Sequence, residues 1–178
     1  TGRTLTVGGG RLSVSQPPIS ATTFSPGTAD VPALRLRFTE TDNAAVTLQS
    51  LRVSSLGSGD ESTDILFATL RLDNDGAGLV SNGDVVLGGA SFTTDNGEIL
   101  FNGLGQSIPG LATVDFLITL TAANQSQLSP GENFQFSVGS NDVVALSNTV
   151  GQPVSVLGLP QTGPLKSVEV PNFTVQQG

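Results

Sequence analysis

The sequence contains no cysteine, histidine, methionine, tryptophan or tyrosine, and Lys166 is its only lysine. Without cysteine there are no disulfides and no thiolate metal sites. Without histidine, cysteine or tyrosine, most general bases and nucleophiles of enzymes are missing. The remaining carboxylates sit mainly in Asp-Gly and Asp-Asn turns, so the chain is read as non-catalytic. Sugar-stacking platforms usually rest on Trp or Tyr, and the aromatics here are nine phenylalanines. Phe38, Phe116 and Phe136 fall at inward-facing strand positions. Basic charge is scarce as well: the arginines are scattered, and the net charge is −8. Nucleic acid and anionic membranes need clustered Lys or Arg, so neither is an expected partner. No apolar run approaches the ~20 residues of a membrane helix.

What is present is polar and turn-rich. Charged residues make up 12% of the 178 residues, with 22 Gly and 10 Pro. Ser, Thr, Asn and Gln supply most of the polar surface, which suits an exposed extracellular structure. The sequence opens on Thr1-Gly2-Arg3, and a removed signal peptide with secretion to the cell surface is the expectation.

Period-two alternation dominates. Ala33 to Phe38 puts Leu34, Leu36 and Phe38 on one face and Arg35 and Arg37 on the other. Val46 to Val53 alternates with a phase change at Gln49-Ser50, the mark of a β-bulge. Further strands are predicted at Arg11 to Val14, Ile65 to Leu72, Val85 to Leu87, Ala90 to Thr94, Glu98 to Phe101, Thr113 to Thr121, Asn133 to Val138, Val143 to Leu146 and Val154 to Leu157. Gly, Pro, Asn or Asp bounds each of them. Only Ser62 to Phe67 suggests a turn of helix. The predicted fold class is therefore all-β: an immunoglobulin-like or jelly-roll-type β-sandwich with antiparallel sheets and a terminal extension strand. Residues 1–160 form the sandwich on this reading, and 161–178 a linker and candidate donor strand.

The most informative local feature runs from Asp73 to Asp84. Counting Asp73 as the first position of a twelve-residue calcium loop places Asp75 third, Gly78 sixth, Leu79 seventh, Ser81 ninth and Asp84 twelfth. Oxygen ligands belong at those odd positions and at the twelfth, with a main-chain carbonyl at the seventh and glycine for the sharp turn at the sixth. Asp73, Asp75, Leu79, Ser81 and Asp84 are the candidate Ca²⁺ ligands. Ala77 offers no side-chain oxygen at the fifth position, so a weak site is expected. The competing explanation is turn closure by Asp and Asn. Asp60, Glu61 and Asp64 form a second acidic group, read as helix capping ahead of metal binding.

The stretches Val31 to Phe38, Gly57 to Ile65, Asp73-Asn74-Asp75-Gly76 and Gly83-Asp84 resemble a recurrent module of large bacterial surface proteins. Asp95 to Phe101 and Ser129 to Phe134 continue the likeness. That resemblance implies an immunoglobulin-like sandwich with an Asp/Asn/Gly calcium loop, and ligand roles for Asp73, Asp75 and Asp84. It does not reach Leu165 to Gly178.

Leu165, Val168, Val170, Phe173 and Val175 form an apolar extended run beyond the linker. A lone strand of this kind is buried by pairing with an open sheet edge. Donated to a neighbouring copy it produces a homopolymer, a plan similar to biofilm-matrix and pilus fibres built by strand donation. Closing its own sheet is the alternative, and Leu5 to Val14 is a rival donor. Calcium-dependent adhesion or binding of surface glycans is the second functional reading.

Overall fold

The computed structural model describes residues 9–19, 23–124 and 126–169. Thirteen strands and one helical turn run in chain order: β1 Arg11–Ser15, β2 Thr23–Phe24, β3 Val31–Glu40, β4 Val46–Gly57, α1 Glu61–Asp64, β5 Ile65–Leu72, β6 Val85–Ala90, β7 Glu98–Ile108, β8 Thr113–Ala122, β9 Asn133–Val138, β10 Val143–Ser147, β11 Ser155–Leu157, β12 Gln161–Thr162 and β13 Lys166–Val168. They build an all-β sandwich. The first sheet has the order β11-β1-β3-β8-β5-β6. In the second, β7 flanks one side of β4, while β10 and β9 lie one after another along the other side; β12, β13 and β2 lie beyond β9.

The alternation read from the sequence is what fills the space between the sheets. Leu34, Leu36 and Phe38 of β3 are fully buried, as are Leu48, Leu51 and Val53 of β4. Phe38 meets Phe116 edge-on across the β3–β8 pair, ring centres 5.1 Å apart. Gln49 is the bulge: pairing skips from Leu48 to Ser50 on both the β7 side and the β10 side. One extra residue there swaps the faces, which is why both Leu48 and Leu51 point inward.

Three expectations need correction. Ala90 to Thr94 is no separate strand, because β6 ends at Ala90. The sheets are not wholly antiparallel, since β1–β11 and β2–β13 pair in parallel at the sheet margins. Nor does the sandwich stop at residue 160. The chain crosses from the first sheet to the second through Gly158-Leu159-Pro160, then β12 and β13 both pair with β9. Gly158 has φ +83°, and a Cβ there would lie 2.1 Å from the Val14 carbonyl oxygen, so only glycine permits the crossing.

The candidate donor strand therefore divides. Val168 is buried in its own sheet and Leu165 is exposed, whereas Val170, Phe173 and Val175 lie outside the described residues. Of the rival amino-terminal donor, Arg11–Ser15 is β1 within the first sheet, and Leu5 to Val7 lie outside the described residues. No helix among the described residues is long and apolar enough to cross a membrane.

Candidate metal centre

The site is built on the outer face of the first sheet. Arg37 stands directly opposite Asp115 on β8, and Arg35 opposite Leu117. Arg37 holds Asp115 in a fork, Nε to Oδ1 and Nη2 to Oδ2 both at 2.8 Å. Arg35 reaches diagonally to the same carboxylate, Nη2 to Oδ2 at 2.5 Å. Burial by itself pushes the Asp115 carboxyl up, but the hydrogen bonds and charge of Arg37 and Arg35 outweigh it and leave it below the ordinary range.

The loop after β5 folds back over this ladder. Arg35 Nη2 donates to the Gly76 carbonyl at 2.6 Å, and its Nε lies 2.9 Å from Asp73 Oδ2 without a hydrogen-bond alignment. Arg35, which alternation alone leaves facing solvent, is buried beneath the loop. The glycines make room: Gly76 and Gly78 have φ +66° and +70°. A Cβ on Gly78 would press on both Ile19 and Arg35, at 3.2 and 3.3 Å. The glycine at the sixth position thus supplies a sharp turn and also a close approach.

Within the loop, Asp73, Asp75 and Asp84 each present a carboxylate oxygen, and these atoms lie within 4.8 Å of one another. Asp73 is buried, Asp84 half-buried and Asp75 exposed. Asp73 accepts the Ala77 and Gly78 N–H groups at 3.1 Å each. Asp75 accepts from Ala77 N–H at 2.9 Å, and Asp84 from Ser81 N–H at 2.9 Å. Asn74 ties the neck of the loop through Nδ2 to the Gly83 carbonyl at 2.6 Å.

Two of these carboxyl groups are in mutual hydrogen-bond contact. Burial raises Asp73 above the ordinary range against the Gly78 N–H and the charge of Arg35, and Asp75 raises it further. Asp75 is held low by the Ala77 N–H and then by the Ser81 hydroxyl. Two carboxylates this close need either a shared proton or a cation between them. Glycosidases hold their two acids at least ~5 Å apart, so this pair is too close to flank a sugar bond.

An all-oxygen donor set fits a hard divalent cation such as Ca²⁺ or Mg²⁺. Asp73, Asp75 and Asp84 fit as carboxylate ligands, and Ser81 stands against Asp75. Leu79 lies in the same loop with its side chain exposed. A cleft of about 350 Å³ opens beside the carboxylates, lined by Asp73, Asp75, Arg37, Gln106 and Thr113 among others. Arg35 beside Asp73 opposes cation binding, a second reason for weak affinity besides Ala77.

The other acidic group is occupied with capping. Asp60 accepts from Ser62 N–H at 2.9 Å at the start of α1. Asp64 accepts from Asp60 N–H at 2.7 Å. Buried Glu61 takes the Ser55 hydroxyl and the Asn96 N–H. Sequence reasoning missed Arg35 and Asp115 as parts of the site, because only the β3–β8 register brings them under the loop.

No protein-family model matches the chain, and no curated protein matches it. Among solved structures, AvmM, which catalyses macrocyclization in alchivemycin A biosynthesis, aligns over 93% of this chain and 92% of its own. The identity is 9% and the TM-score 0.40, a likeness too slight to bear on function.

Proposed function

We propose that the chain is a structural subunit of an extracellular filament, of the pilus or biofilm-matrix kind, joined head to tail by strand donation and stabilised by Ca²⁺. The observation that carries this reading is where the sandwich finishes. Both sheets are built by Val168, yet the sequence continues with Val170, Phe173 and Val175 in an uncharged stretch. Apolar residues beyond a finished sandwich are available to a second copy, and pairing with a sheet margin satisfies their backbone. On this reading the chain performs no catalysis, and secretion is part of the role.

Calcium enters through the Asp73–Asp75–Asp84 cluster. Bound between carboxylates that otherwise repel, the ion ties the end of β5 to the start of β6. Negative-stain microscopy and sedimentation of the full chain, in millimolar Ca²⁺ and in EDTA, test the reading. Filaments are expected, more stable with Ca²⁺. A chain that stays monomeric at every concentration in both buffers removes the proposal.

The cleft beside the carboxylates favours a second reading, a calcium-dependent adhesion or glycan-binding module. A bound cation at its wall can take sugar hydroxyls without an aromatic platform. Dispersed monomers that retain glycans in Ca²⁺ and release them in EDTA would select it.

A further inference from the structure

Each margin of the sandwich is covered or interrupted except one. At the first sheet's far side, β11 is three residues long, and β2 at the second sheet's margin is two. The outer side of β10 is covered by residues 152–154, through Ser147 N–H to the Gln152 carbonyl and Val154 N–H to the Ala145 carbonyl. Edge strand β7 is broken by Gly103-Leu104-Gly105, whose glycines have φ +65° and +59°. Leu104 lies close to Gly88 of β6, and β7 carries Glu98 and Asn102. Charges and bulges of this kind are how natural sheets blunt an edge.

β6 has little of that protection. Its sequence Val-Val-Leu-Gly-Gly-Ala is uncharged and apolar, it pairs with β5 alone, and one bulge at Leu87 is its single irregularity. Val85 and Val86 are 49% and 56% exposed, with Leu66 and Phe67 of β5 exposed nearby.

Building on the filament reading, we infer that β6 is the acceptor edge, and that residues 170–175 of a neighbouring copy pair with it. The donor segment, Val170-Pro171-Asn172-Phe173-Thr174-Val175, is uncharged like its acceptor. Reach excludes pairing within one copy. The described chain leaves the sandwich at Glu169, whose N–H donates to the Phe24 carbonyl on β2. β7 lies against β6 and β9 against β3, so β2 sits at the opposite flank from β6. That flank is five strand spacings away, ~24 Å before the gap between sheets is added, while six extended residues span ~20 Å. Donor and acceptor on opposite flanks make a contact that repeats without closing, which is the geometry of a fibre. Pro171 is tolerated because an added strand is itself an edge.

The chain's lack of cysteine makes the test clean. Full-length double variants carry Val85→Cys or Val86→Cys with Phe173→Cys or Val175→Cys, and are oxidised mildly after assembly. Paired strands bring Cα atoms within ~7 Å, close enough for a disulfide. A ladder of reducible oligomers from at least one of these pairs is expected. Val86→Lys should abolish filaments with an unchanged melting temperature, because the side chain is exposed. Filaments that form without any ladder, or that survive Val86→Lys, overturn the β6 inference and leave the filament reading standing. A ladder from Leu5→Cys with Val86→Cys makes the amino terminus the donor, and dimers from Val86→Cys alone make β6 a two-fold contact; both overturn it. Monomeric wild-type protein overturns inference and filament reading together.

Discussion

Arg35 and Asp73 face each other beneath the β5–β6 loop with Nε and Oδ2 2.9 Å apart, both side chains almost wholly out of water. The same guanidinium holds Asp115, so one buried cation joins the first acid of the candidate calcium loop to the sheet on which that loop lies. Anchoring and ion binding therefore draw on the same carboxylate.

Arg35→Met leaves Asp73 buried without its counter-charge, and losing one partner of a buried pair costs on the order of 3 kcal/mol. A cation can then replace the missing charge. The melting temperature in EDTA should fall, and the rise on adding millimolar Ca²⁺ should exceed the wild-type rise. Adding Asp75→Asn to the variant should remove the response. Calcium shifts of equal size in wild type and Arg35→Met would show that the guanidinium does not oppose the ion.

Glu40 is buried at the end of β3 and accepts four backbone N–H groups, from Arg11, Asp42, Ala44 and Leu111, at 2.9 to 3.3 Å. Burial pushes its carboxyl up, but the four donors prevail and hold it below the ordinary range. A carboxyl lowered in the folded state stabilises above its unfolded value of about 4.3, and that gain is lost as pH falls through the folded value. Glu40→Gln leaves two of the N–H groups facing an amide, a loss of about 2 kcal/mol at pH 7. Urea melts at pH 7 and pH 3 should show the gap between wild type and variant closing in acid.

Lys166 is fully buried on β13, and burial lowers its amine to about 8 from 10.5. A base lowered in the folded state is held there with fewer protons than in the unfolded chain. Stability should therefore rise with pH between 8 and 10.5, and Lys166→Met should flatten that rise. Thermal melts across this range measure it. A wild-type profile as flat as the variant's would mean that the amine is not shifted.

Truncation separates the sandwich from the carboxy-terminal segment. Ending the chain after residue 160 strips β12 and β13 from β9 and removes buried Val168, so this form should unfold at a much lower urea concentration. Ending it after residue 169 keeps every described strand and should leave the midpoint at the wild-type value, with filaments lost. Equal midpoints for the two truncations would return residues 161–168 to the role of a linker.

Local pattern carried much of this protein. Alternation placed the core of β3, β4, β5 and β8, and the phase slip marked Gln49 as a bulge, because facing in a strand depends only on a residue's neighbours. The register of Asp73, Asp75, Gly78 and Asp84 was equally legible, since one short loop holds it. Tertiary structure decided what depends on pairing between distant strands. Arg35 becomes buried only because β8 brings Asp115 beside it and the loop closes above. Residues 161–168 look like an appendix in the sequence and complete the second sheet in the fold, because the hydrogen-bonding side of β9 leaves no trace in its side chains. The acidic loop between Asp73 and Asp84 is thus a sequence feature, and its anchor on Arg35 is a property of the fold.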